Sequence, residues 1–195
     1  GKKNLQLLGA SDIPDEDKKE DNEPQKLIDR RFRGLDGDEI SEMMQLSHSQ
    51  TLKHIRANRR EKADFEPTMI ATIPQIRMTR RIVGDYEIDT TDDKVYMEDS
   101  IGMTGNWKKR GPVYEIPFRS IRSKNIKNLL AAGRCISSTD AMWDVTRVIP
   151  VCAVTGEAAG VAASMPDDFH SIDIKALQDE IRRGGVKLHT DEVLN

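Results

Sequence analysis

No apolar run in this sequence approaches the roughly 18 residues that a membrane-spanning helix needs. No charged segment followed by an apolar stretch is visible at its start, so no secretory leader is expected within it and a cytoplasmic location is the expectation. Basic excess is missing too. The formal net charge is -3 and the sequence pI about 5.9, whereas nucleic-acid binders usually carry a basic footprint; nucleic acid is not an expected partner. Cysteine is scarce. Cys135 and Cys152 form no Cys-x-x-Cys and no metal-ligand spacing with the four histidines. His48 and His54 lie six apart and do not share a helix face, so no metal site is expected. Both cysteines stand in apolar context and are expected to be buried free thiols. A redox pair is the alternative.

What is present is best read from Asn128 to Ser164. The apolar run Leu129-Leu130-Ala131-Ala132 stops at Gly133, and a run of that length bounded by glycine suits a buried strand over 128–136. A polar loop, 137–147, should follow. Val148 to Ser164 is Ala-rich and too long for a strand. Pro150 suits the first turn of a helix, where a missing N–H costs nothing. Gly156 and Gly160 lie about one turn apart in that helix. Each costs about 1 kcal/mol relative to Ala, so their face is expected to receive something flat or large. The start of such a helix offers unpaired N–H groups and the positive end of its dipole, which favours negative charge. The other reading is a plain closing βα unit.

The 195 residues hold one domain or one and a half, long enough to bury a real core. Residues 1–35 form the first expected segment, an apolar stub at 4–8 and then the acidic, proline-punctuated 11–26, read as an exposed loop. Residues 36–120 form the second. Here 38–62 spaces Ile40, Met43, Met44, Thr51 and Ile55 as an amphipathic helix. Asp36 or Asp38 can cap it, and Arg56, Arg59, Arg60 and Lys62 suit its negative pole. A strand is expected at 69–73, and further strands at 82–88, 95–103 and 113–118, with a turn at 89–94. Together they suggest an antiparallel sheet. Arg77, Arg80 and Arg81 lie close in sequence. In an extended segment Arg77 and Arg81 share a face, and guanidinium groups grip carboxylates bidentately; ordinary pairing with Asp85, Glu87 or Asp89 is the alternative. Residues 121–195 form the third segment and end with a helix over 173–183, stopped by Gly184-Gly185.

Several ordered motifs then point one way. Gly133-Arg134-Cys135-Ile136-Ser137, then Arg147, then Gly156-Glu157-Ala158-Ala159-Gly160, resemble the C-terminal FAD-contacting segment of FAD-dependent oxidoreductases with a glutathione-reductase-like flavin fold. Arg77, Arg80 and Arg81 before Gly84-Asp85-Tyr86, and Tyr114-Glu115-Ile116-Pro117, resemble upstream motifs of the same family. The resemblance is good over 74–164. It implies a mixed α+β and α/β architecture: an antiparallel substrate-domain sheet plus the last strand and helix of an FAD-binding nucleotide fold. It implies FAD as cofactor, contacted by Gly133, Arg134, Cys135, Ile136, Arg147, Val148, Ile149, Pro150, Val151 and Cys152. A small-molecule substrate would be met by Arg77, Arg81 and Asp140.

Two departures qualify the resemblance. Such enzymes hold the FAD pyrophosphate in a Gly-x-Gly-x-x-Gly turn, and no such motif occurs in this sequence. The chain is therefore expected to be the C-terminal part of a longer enzyme, with the remainder of the flavin domain as its partner and weak FAD affinity of its own. Asp140-Ala141 stands where the family often has His or Glu, so no acid or base is assigned. In the expected mechanism the N–H groups of Ile149, Val151 and Cys152 stabilise charge on the flavin, Gly133 permits close backbone approach, and Arg147 touches the flavin carbonyl or the substrate. A binding module that kept the scaffold but lost the cofactor, and an anion-binding enzyme domain of another class, are the competing readings.

Overall fold

The structure, a computed structural model, describes residues 32–70, 72–73, 79–165 and 168–194. They fall in two compact units, Gly1–Thr79 and Arg80–Asn195.

The first unit holds α1, Gly37–Glu61. Asp36 is extended, and its carboxylate accepts hydrogen bonds from the Asp38 and Glu39 N–H groups, each at 3.0 Å. Two donors that the first turn leaves unpaired are thereby satisfied. Glu39 in turn accepts from the N–H groups of Arg33 and Gly34, fixing the chain as it enters the helix. Asp38 and Glu39 at one end and Arg59 and Arg60 at the other match the helix dipole. Met43, Thr51 and Ile55 are its buried residues, at the helical spacing the sequence shows. The expected strand at 69–73 does not form among the described residues there. Met69 is 83% and Ile73 68% exposed, and β propensity without a partner strand and a face to bury is too weak to hold an extended segment in a sheet. Arg77 lies outside the described residues.

The second unit is built on a hairpin. β1, Ser100–Gly105, pairs antiparallel with β2, Val113–Pro117, with Gly105 opposite Val113 and Met103 opposite Glu115. The register slips between Ser100 and Met103. Gly102 lies there with φ +146°, and a Cβ on it would be 2.5 Å from Val154 Cγ1. Glycine thus lets β1 lie directly against a helix. That helix is α3, Ile149–Ala163, preceded by the short α2, Asp140–Thr146, and followed by α4, Ile174–Arg183, and α5, Asp191–Leu194. Ile101 and Ile116 from the strands, Val151 and Ala158 from α3, and Leu177 and Ile181 from α4 close one core. Ile88, Tyr114, Met142 and Val145 close a second, smaller one. The architecture is α+β, helices with a two-stranded antiparallel sheet. No single helix among the described residues is long and apolar enough to cross a membrane; α2 and α3 meet the length and composition only as a pair bent by 88°.

Three sequence expectations are corrected in this unit. Residues 128–136 are not a strand. Leu130 makes one isolated bridge with Arg122, and the chain then winds into a single 3-10 turn at Gly133–Cys135. Gly133, at φ +71°, breaks the extension, and Leu129 is 41% exposed rather than covered on both faces. Residues 82–88 are not a strand either, since only Gly84 and Ile88 bridge, to Ser123 and Ser138. The polar loop expected over 137–147 contains α2 instead, nucleated by Thr139, whose hydroxyl accepts from the Met142 N–H.

The C-terminal segment is tied to the hairpin by buried polar groups. Glu115 is 2% exposed. Its carboxylate accepts from the Met97 N–H at 2.8 Å, the Thr190 N–H at 3.0 Å and the Thr190 hydroxyl at 3.1 Å, and pairs with His189 Nδ1 at 2.9 Å. The His189 ring stacks on Tyr96 with centroids 4.5 Å apart. The Ser100 hydroxyl donates to the Leu188 carbonyl, and Gln178 donates to the carbonyls of Glu98 and Ser100.

Candidate functional site

Three irregular segments, around 82–88, 119–124 and 133–139, are joined by backbone hydrogen bonds, and the last of them docks on α3. The 82–88 segment threads between two others. On one side Tyr86 N–H donates to the Arg119 carbonyl and Lys124 N–H to that of Val83. On the other, Ile82 N–H donates to Cys135, Ile88 N–H to Ser137, and Thr139 N–H back to Ile88. Gly84 is the point of closest passage. A Cβ there would be 2.8 Å from the Arg119 carbonyl oxygen and 2.8 Å from Ser137 Cβ. The Gly-Asp-Tyr motif is therefore structural in its first residue. Its Asp85 accepts from Arg122 Nε at 2.6 Å. Its Tyr86 hydroxyl donates to Asp92 at 2.8 Å and its ring lies under the Arg119 guanidinium. Burial first, and then the Asp92 hydrogen bond, push the Tyr86 phenol up to about 12; this hydroxyl keeps its proton through the physiological range.

The Gly133-to-Ser137 motif docks on α3. Gly133 N–H donates to the Thr155 hydroxyl at 2.9 Å, and a Cβ on Gly133 would be 3.3 Å from Cys152 Sγ. The close approach that this glycine permits is thus to α3 itself, not to an open cleft. Ile136 and Val151 are fully buried in the core, and Val148 packs against it. Arg134 and Cys135 are exposed, so Cys135 is not the buried thiol its neighbours suggest; its 3-10 turn points it outward. Cys152 is half-buried, and both thiols are free.

The beginning of α3 has no side-chain cap on Val148, and Ile149 is 84% exposed. Cys152 N–H already donates to the Val148 carbonyl, so of the three N–H groups expected to face a ligand, those of Ile149 and Val151 remain beyond reach of an i-4 carbonyl of the helix. Among the described residues the Ser138 hydroxyl is buried and without a hydrogen-bond partner. The uncapped start of α3, with Arg147 just before it in the chain, fits a group that carries or accumulates negative charge. Of the expected substrate residues, Arg81 reaches the Ser137 hydroxyl at 3.4 Å and pairs with Glu87, which is one of the ordinary ion pairs its sequence allowed. Asp140 is exposed in the first turn of α2.

Sequence reasoning missed the hairpin tip. Trp107 folds back so that its Nε1 donates to the Asp144 carbonyl at 2.8 Å, and Lys108 pairs with the Asp144 carboxylate. Asp144 also accepts from Arg147 Nε at 2.8 Å. Arg147 lies 5.2 Å from the ring centre of Trp143 and 5.9 Å from that of Trp107, while Trp143 Nε1 donates to the Arg134 carbonyl. Burial alone would raise the Asp144 carboxyl, but its bonds from Lys108 and Arg147 outweigh that and hold it below the ordinary aspartate value. Asp144 and Arg147 are three apart, as helix neighbours pair; nothing in the sequence announces Lys108 from 36 residues away.

The sequence profile of the FAD dependent oxidoreductase family matches residues 17–181. The chain belongs to that family. It is a flavoprotein oxidoreductase sequence, and FAD is the cofactor that the family implies. Comparison with curated proteins and with solved structures finds no match. In this flavoprotein sequence no group of three or more His, Cys, Asp or Glu among the described residues is arranged to hold a metal ion.

Proposed function

We propose that this chain is the C-terminal part of an FAD-dependent oxidoreductase with a glutathione-reductase-like flavin fold, and that residues 133–152 meet the isoalloxazine end of the cofactor. The observation that carries the reading is the start of α3, with no side-chain cap and with exposed Ile149 and Pro150 at its mouth, inside a profile match to the family. When bound, FAD supplies hydride transfer. The chain's own contribution is orientation and charge. The N–H groups of Ile149 and Val151 and the helix dipole face developing negative charge. Pro150 fixes the entry of the helix through its rigid φ, and Arg134 and Arg147 add positive charge beside it. Arg81 and Asp140 lie on the substrate side and bind a small molecule. The pyrophosphate is held by residues outside this sequence, because no Gly-x-Gly-x-x-Gly turn occurs within it. By itself the chain binds FAD weakly and is inactive.

Photolabelling with 2-azido-FAD tests the placement, since the reactive nitrogen stands at the pyrimidine edge of the isoalloxazine ring, where negative charge develops. In the flavin-loaded enzyme the label is expected on peptides within 133–152. Label confined to other peptides, with 133–152 clean, would overturn it.

A further inference from the structure

The hairpin tip and α2 are joined through one carboxylate. Asp144 takes Lys108 of the tip and Arg147 of the α2–α3 junction at the same time, and its own carbonyl accepts the Trp107 indole N–H. The Arg147 guanidinium lies 5.9 Å from the Trp107 ring centre and 5.2 Å from that of Trp143, and Lys108 Nζ lies 5.3 Å from the Trp107 ring centre. Arg147 also ends the turn from which α3 departs: its N–H donates to the Trp143 carbonyl, and its carbonyl faces Cys152 Sγ. A guanidinium held by both a carboxylate and ring faces has lost most of its rotamer freedom before any ligand arrives.

We propose that Asp144 is a positioning residue: it holds Arg147 against Trp107 and Trp143 and so presents that guanidinium at the mouth of α3. The direction in which Arg147 is useful, towards the cofactor edge, rests on the function proposed above; the clamp itself does not. The chain has two tryptophans, and both belong to the clamp.

Site-resolved modification by phenylglyoxal measures it in the protein as it stands. Arg147 and Arg134 are followed separately by peptide mass spectrometry. Asp144→Ala removes the ion pair that holds Arg147, a partly exposed pair, so Arg147 is expected to react roughly two- to fivefold faster. Arg134, whose carbonyl accepts from Trp143 and which does not contact Asp144 among the described residues, keeps its rate. Asp144→Glu restores the slow rate by restoring the charge, which a general packing defect would not do. An unchanged Arg147 rate in Asp144→Ala of native circular dichroism overturns the clamp. So does a rise at Arg134 equal to that at Arg147. If Asp144→Ala does not fold, Asp144→Asn with the same readout decides. The link to the cofactor has its own signal: in flavin-loaded protein Asp144→Ala is expected to shift the flavin absorption envelope. A bound flavin whose spectrum ignores the substitution, while Arg147 reactivity rises, would leave the clamp standing and overturn its role towards the cofactor.

Discussion

Replacing Glu115 by alanine is expected to lower the unfolding free energy by roughly 3–5 kcal/mol, since each buried donor left without its acceptor costs about 1–3 kcal/mol and several lose theirs at once. The carboxylate is almost fully buried and serves four donors, three of them in the 189–190 segment and the fourth at Met97. Alanine leaves those donors without their acceptor in a largely buried site. Glutamine preserves shape and one acceptor, and should cost less. Acid should reproduce the effect. Burial raises the Glu115 carboxyl, but the hydrogen bonds from Met97, His189 and Thr190 outweigh it, and the group lies below the ordinary glutamate value of 4.5. For a carboxyl depressed in the folded state, the stability it contributes is complete above the unfolded value and is lost as pH falls through the folded one. Denaturant titrations of the wild type should therefore weaken below about pH 4.5, and Glu115→Gln should flatten that acid limb. A wild type and a Glu115→Gln variant with parallel acid limbs would contradict the assignment.

Gly84→Ala should be nearly as damaging, and Gly156→Ala should not. At Gly84 the new methyl meets a backbone oxygen and a Cβ, both at 2.8 Å. Neither is the movable end of a side chain, so one of the three segments that converge there must shift. Overpacking of that kind costs typically 1–3 kcal/mol, and the shift would propagate to Ser137 and to the Arg81 contact on it. At Gly156 nothing lies within 4 Å, and alanine in an open helix position stabilises by about 1 kcal/mol. Chemical denaturation of the two variants gives the contrast directly. The same Gly156→Ala substitution should lose its benefit in a flavin-loaded enzyme if the open α3 face receives another part of that enzyme. Equal destabilisation by both substitutions in this chain would mean that the α3 face is already covered.

The helices were legible because their signals are local. Asp36 before an acidic first turn, the 3.6-residue spacing of Met43, Thr51 and Ile55, Pro150 at the head of an Ala-rich run, and Asp173 with Gly184 at the two ends of α4 each act within a few residues. What failed was judged by composition alone. Leu129 to Ala132 is apolar enough for a strand, yet Gly133 turns the chain to dock on Thr155 and Cys152 of α3. Thr139, within the polar segment expected to be a loop, caps α2. The Ile82-to-Ile88 segment alternates like a strand but finds two different partners, one on each side, and forms only bridges. At the site, motif resemblance brought Gly133, Arg134, Arg147 and the start of α3 into one neighbourhood. It said nothing of Trp107 and Lys108, because a hairpin tip closing on a helix 36 residues away is a tertiary event. The exposure of Cys135 was likewise hidden, since apolar neighbours in sequence were not its neighbours in space.

A visible absorbance spectrum decides whether the FAD-binding role proposed for this sequence holds. It should be recorded on the purified gene product that carries this sequence and on the 195-residue chain, each before and after incubation with FAD and desalting. The expected result is the two-banded flavin spectrum in the first and little or none retained by the second, which lacks a pyrophosphate turn. A folded gene product that stays colourless after incubation with FAD would contradict the account and leave a flavoprotein scaffold without its cofactor.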